Sequence, residues 1–105
     1  MAQITLEVKK LIKQYINKLE DNNIHILQAI LFGSYARGTQ QEWSDIDLAL
    51  ISDVFEGSRI VDRSKIRRIT LSVSSSLEPI PFRPEDFNQS DPFVKEILEQ
   101  GIKII

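Results

Sequence analysis

Two short apolar runs set the terms for this chain: Ile24 to Phe32, IHILQAILF, and Asp45 to Ile51, DIDLALI. Runs so brief, rich in branched side chains and punctuated by Gly33, read as central strands buried on both faces. Such strands need cover on each side, and the flanking sequence supplies it. Ile4, Val8, Leu11, Ile12, Tyr15, Ile16 and Leu19 share one helical face, with Lys9, Lys10, Lys13 and Lys18 on the wet side. Asp21-Asn22-Asn23 supplies the turn that stops this helix. Arg59 to Leu77 predicts a second helix, with Ile66, Ile69, Val73 and Leu77 at helical spacing and a fraying Ser74-Ser75-Ser76. Leu77 to Phe82 reads as a short strand that Pro79 and Pro81 confine to a sheet edge. Asp91-Pro92 fits an N-cap and first helical position, for a helix ending at Gly101, and Ile102 to Ile105 a last short strand. The pattern predicts an α/β (α+β) domain, a small mixed β-sheet flanked by helices. At 105 residues, 1–105 is expected to form a single domain.

Composition removes several function classes. Apolar residues at 42% and charged residues at 27% are ordinary for a globular chain and exclude a disordered tail. The balance of 13 basic to 15 acidic side chains, net −2, argues against a general nucleic-acid coat protein. The absence of cysteine excludes disulfides and thiolate metal sites and suits a reducing cytoplasm. MAQITLEVKKLIKQY mixes apolar and charged residues, so neither a signal peptide nor a membrane span is expected there.

The chemistry concentrates between the two runs, in FGSYARGTQQEWSDIDLALI. Gly33 and Ser34 fall where the first strand must turn out of the sheet, and glycine lets the backbone approach a ligand closely. If Ser34 to Arg37 starts a helix, its free N–H groups and the Ser34 hydroxyl make a phosphate site. Asp45 and Asp47 sit at i and i+2 of a strand, so both carboxylates project to one face. Side by side they repel, and one takes up a proton unless a cation is shared. Mg²⁺ suits hard oxygen ligands of this kind, one or two carboxylates plus substrate phosphate oxygens. A glycine-serine pair alone is usually a turn, and Asp-x-Asp alone is often a solvated strand edge. Here, however, the two aspartates open a strand buried on both faces, where unpartnered carboxylates are costly.

Gly33-Ser34 followed after ten residues by Asp45-x-Asp47 resembles the signature of the DNA polymerase β-like nucleotidyltransferase superfamily. Tyr35-Ala36-Arg37-Gly38, and Ser44 before Asp45, look most like its minimal nucleotidyltransferase branch. The flanking helices and the ending PEDFNQSDPFVKEILEQGIKII are also similar to that branch, so the resemblance covers essentially the whole chain. It implies a nucleotidyltransferase fold, ATP as substrate and two Mg²⁺ ions. Gly33 and Ser34, with Arg37 as a further fork, would hold phosphates, and Asp45 and Asp47 the metal. A third carboxylate is implied on a later strand. Lining up the Pro84-Glu85-Asp86-Phe87 turn puts Glu78 there, in place of the usual Asp and before an unusual Pro79, with Glu85 and Asp86 as runners-up. Glu78 would complete the second ion and assist deprotonation of the attacking hydroxyl. The branch further implies an antitoxin that attaches AMP to a tyrosine of a HEPN-domain toxin partner. Two other readings stand beside it: a non-catalytic antitoxin that masks its partner, and a nucleotidyltransferase acting on a small molecule such as an aminoglycoside. The charge balance and hydropathy give no reason to expect nucleic acid or membrane as partners.

Several residues keep two readings. Arg37 could grip phosphate or pair with Glu42 or Asp45, and Glu78 could be a solvent-exposed strand residue. Arg59, Arg63, Lys65, Arg67 and Arg68 could line the triphosphate or RNA side of a cleft or be the solvated face of a helix. His25 reads as a core or edge residue, and Tyr15 and Phe32 as core. Trp43 could stack on a base or close its loop.

Overall fold

The computed structural model describes residues 5–41 and 44–105, so Ile4, Glu42 and Trp43, with the readings placed on them, lie outside the described residues. Thr5 caps α1 (Leu6–Asp21), its hydroxyl accepting the Val8 N–H at 3.2 Å. The helix stops at Asn22, and Asn23 turns the chain with φ +65°. Strand β1 is Gln28–Phe32, shorter than the apolar run that predicted it. The reason is local. Ile24 still donates its N–H to the Leu19 carbonyl at 2.9 Å, and Ile26 donates to the Glu20 carboxylate at 2.8 Å. Those groups close the turn and are not available to a sheet.

A single helical turn, α2 (Ser34–Arg37), leads towards β2 (Ile46–Ile51). Helix α3 covers Arg59–Val73, four residues less than its apolar spacing predicted, because Ser74 goes extended. Ser58 caps its start, and the buried Asp62 carboxylate accepts the N–H groups of Glu56 (2.8 Å) and Gly57 (3.0 Å). Strand β3 (Leu77–Phe82), a 3₁₀ turn at Pro84–Asp86, α4 (Pro92–Gln100) and β4 (Ile102–Lys103) complete the order. Asp91 caps α4 through the Phe93 N–H at 2.9 Å.

The sheet runs β3-β2-β1-β4, antiparallel at both contacts of β1 and parallel between β2 and β3. It is the small mixed sheet the sequence predicts, with the proline-bearing strand at its edge. Alternation divides the core. Ala29, Leu31, Ile46, Leu48, Leu50 and Leu77 pack with Ile12, Tyr15, Leu19 and Ile66 of α1 and α3. Ile30, Ala49, Ile51 and Phe82 pack with Val94 and Ile97 of α4. Among the described residues, no helix is long and apolar enough to cross a membrane.

Candidate active site

Register builds the site. Phe32 stands opposite Asp47 in the antiparallel pair, and Asp47 opposite Glu78 in the parallel pair. The three side chains therefore form one row across three strands, on the face that α4 covers further along. Asp45 is two residues from Asp47 and shares its side.

The chain leaves β1 through Gly33, at φ +72° and ψ −148°, a region only glycine enters cheaply. A Cβ at Gly33 would run into Oδ2 of Asp47 and stand 3.1 Å from its Cγ. The glycine of the Gly-Ser pair and the second aspartate of Asp-x-Asp thus touch, although fourteen positions separate them. Ser34, the next residue, opens α2, whose first N–H groups have no intrahelical acceptor. Gly38 closes that turn in the left-handed region, φ +74°.

Asp47 is partly buried and Asp45 exposed. The Asp47 carboxyl is pushed above the usual carboxylate range, first by burial and then by the charges of Asp45 and Glu78, with Arg37 pulling the other way. Arg37, Gly33 and Asp47 line a cleft of about 240 Å³ whose far wall includes Phe93, Glu96 and Gln100 of α4. Arg37 makes no ion pair with Asp45 among the described residues, and Glu42, its other possible partner, is not described.

Glu78 does not turn fully to the aspartates. Its Oε1 accepts from Nη2 of Arg63 at 2.7 Å, beside a groove of about 480 Å³ between α3 and β3. Among the described residues, no three carboxylates gather closely enough to hold one metal ion together. Asp45 and Asp47 offer the hard oxygen ligands Mg²⁺ prefers, and substrate oxygens would have to supply the rest. The donor chemistry of the two aspartates fits a hard divalent ion.

The basic run on α3 separates by position. Arg63 pairs with Glu78, and Lys65 reaches Glu56 and Asp62 at 3.3 and 3.7 Å. Arg59 lies over the rings of Phe82 and Phe93, 5.7 and 5.9 Å from their centroids. Arg67 lines the α3–β3 groove and Arg68 is exposed. Glu85 and Asp86 belong to the 3₁₀ turn, where Arg83 grips Asp86 through two bonds of 2.6 and 2.9 Å. His25 is a correction: it is neither core nor strand but an exposed loop residue, 3.0 Å from Glu20. Phe32 is another, only half-buried and edge-on to Phe93 at 5.7 Å. Tyr15 is core, with its hydroxyl 2.6 Å from that of Thr70. The Arg63–Glu78 pair and the seat of Arg59 on two phenylalanines escape sequence reasoning. Their only sequence signal was the basic run itself.

Residues 12–105 match the model of the polymerase beta, nucleotidyltransferase family. Two Methanocaldococcus jannaschii proteins, MJ1305 and MJ0604, are similar along most of the chain, and both are named as candidate protein adenylyltransferases. MJ1305 is 37% identical over 86 residues, which cover 76% of this chain and 58% of that protein. MJ0604 is 33% identical over 96 residues, covering 89% of this chain and 93% of that protein. The chain thus spans little more than half of the first relative and nearly all of the second. A toxin–antitoxin crystal structure with AMP-PNP superposes with a TM-score of 0.63 at 22% identity, over 92% of this chain and 72% of that one. A candidate nucleotidyltransferase from Sulfolobus solfataricus gives 0.64 at 17% identity, over 93% and 79%. At such identities the two structures share the fold.

Proposed function

Because the chain belongs to the polymerase β nucleotidyltransferase family, we propose that it transfers AMP from ATP to a hydroxyl group of a protein partner. Nucleotidyl transfer follows from the family. AMP and a protein acceptor are supported by the two archaeal relatives, whose names carry that activity. An antitoxin role is supported by the toxin–antitoxin neighbour of the fold, and the sequence resemblance points to a tyrosine of a HEPN-domain toxin in the cytoplasm.

The observation that carries the reading is Gly33 seated against Asp47. It brings a strand-end turn with spare N–H groups and a carboxylate pair to one point, as binding a metal–triphosphate requires. In the proposed reaction Gly33 and Ser34 bind the β- and γ-phosphates, and Arg37 reaches a phosphate oxygen from the Asp47 cleft. Asp45 and Asp47 would hold the Mg²⁺ that accompanies ATP, and Glu78 would help hold a second ion. When bound, Mg²⁺ would supply charge neutralisation for the transfer. The acceptor oxygen forms a bond to the α-phosphorus, and the bond to the β-phosphate oxygen breaks. Glu78 takes the hydroxyl proton, and pyrophosphate leaves.

The test is the intact mass of a co-expressed HEPN-domain protein after incubation with this chain, ATP and Mg²⁺, with Asp45→Asn/Asp47→Asn as control. A gain of AMP units that needs both aspartates supports the proposal. An unchanged mass with the partner still silenced overturns it and leaves a masking antitoxin, the reading that the engagement of Glu78 by Arg63 favours.

A further inference from the structure

Glu78 and Asp47 are register partners on adjacent parallel strands, so their backbones lie about 4.8 Å apart. A glutamate there has reach enough to turn its carboxylate inward to Asp45 and Asp47 or outward across the edge strand. It turns outward, to the guanidinium of Arg63 at 2.7 Å. The outcome is visible in the site: among the described residues three carboxylates share one end of the sheet, yet no three of them gather as a metal group.

We infer that Arg63 is a positioning residue for Glu78, holding the third carboxylate back from Asp45 and Asp47 and so setting how tightly the site takes its second divalent ion. The inference rests on the metal site of the proposed reaction. Electrostatics supports the direction. Three carboxylates share one sheet end, with Glu78 in register with Asp47, and like charges so placed repel. A fixed cation that draws one of them off relieves that repulsion, and a divalent ion arriving with nucleotide must compete with it. The pair is built to be exchanged. Both side chains are substantially exposed, 44% for Arg63 and 38% for Glu78, and exposed ion pairs are weak. Glutamate in place of aspartate then has a structural use: the longer arm lets one carboxylate serve two positions.

Metal binding tests this without turnover. Free Mn²⁺ is titrated by electron paramagnetic resonance in the presence of a non-hydrolysable ATP analogue, for the parent chain, Arg63→Met, Arg63→Lys, Glu78→Gln, the Arg63→Met/Glu78→Gln double variant and Asp47→Asn. Thermal melts confirm that each is folded. Arg63→Met tightens the weaker Mn²⁺ by roughly two- to fivefold, the scale of an exposed ion pair. Glu78→Gln weakens the weaker Mn²⁺ in the parent and cancels the gain of Arg63→Met in the double variant. Arg63→Lys, a charge without the planar fork, falls between. Unchanged or weakened Mn²⁺ binding in Arg63→Met overturns the inference, as does a gain that survives Glu78→Gln. If Asp47→Asn loses Mn²⁺ while Arg63→Met is silent, the proposed metal site stands and only the role of Arg63 falls. If the parent binds no Mn²⁺ with the analogue, both fall.

Discussion

Gly33→Ala puts the central contact of the site under load. The backbone at Gly33 lies in a region that is costly for any residue with a Cβ, and holding alanine there costs about 1–3 kcal/mol. The added methyl also enters the space of the Asp47 carboxylate, so either Asp47 rotates away or the end of β1 shifts. Taking about 2 kcal/mol, and roughly 4–8 °C of melting temperature per kcal/mol for a domain near this size, the variant melts about 8–16 °C below the parent. Gly38→Ala is the internal comparison. Gly38 sits in the ordinary left-handed region, where alanine costs about 1–2 kcal/mol, so its melting temperature falls less. Displacing Asp47 costs more in turnover than in stability: a shift of about 1 Å in a positioned group is worth about 10²-fold in rate. Circular dichroism melts and the AMP-transfer assay read the two effects separately. A Gly33→Ala chain that melts with the parent and transfers AMP at the parental rate would refute the close contact and the reasoning built on it.

Asp47→Asn is expected to abolish transfer while stabilising the metal-free protein at neutral pH. The Asp47 carboxyl is raised in the folded state, so its ionised form opposes folding. That penalty is absent below the ordinary aspartate range, grows as pH rises to the raised folded value, and is complete above it. Urea unfolding at neutral and acidic pH checks this, since the advantage of the variant should vanish in acid. Tyr15→Phe removes a hydroxyl bonded to Thr70, which itself keeps a bond to the Ile66 carbonyl at 2.8 Å, and should cost about 1 kcal/mol near neutrality. Burial pushes the Tyr15 hydroxyl up to about 12, so the parent alone loses stability as pH rises from about 10 towards that value. The deficit of the variant therefore narrows in alkali, as denaturation at rising pH will show. Asp91→Ala deletes the cap of α4 and should cost about 1 kcal/mol in a chemical denaturation curve, with little effect on nucleotide binding.

The legible parts of the fold are those whose causes are local. Short, nearly continuous apolar runs marked β1 and β2, and the asparagine turn, the Asp91-Pro92 cap and Gly101 marked the helix ends. Pro79 and Pro81 placed β3 at an edge, where it lies. The overextended elements failed for reasons just as local. The apolar spacing of Ile24 and Ile26 cannot reveal that their N–H groups are taken by Leu19 and Glu20. Nor does Leu77 at helical spacing show that Ser74 has already gone extended. His25 was drawn into the strand by its neighbours, although the strand begins three residues later.

What stayed hidden at the site is long-range. Gly-Ser and Asp-x-Asp could be read because each acts through its own backbone, one as a turn and the other as same-face alternation. Their contact needed the antiparallel register that sets Phe32 against Asp47. The link from Glu78 to Asp47 is longer still. It depends on a parallel pairing reached only after α3 has crossed over the sheet, and no spacing within either strand encodes that alignment. Arg63 enters by the same crossover: the helix that carries the chain from β2 to β3 also delivers the cation that engages the carboxylate at the start of β3. A substitution that slips β3 by one residue would send Glu78 to the α1–α3 face and Leu77 to the face of Asp47. The acidic row would be lost, although every sequence motif remained intact.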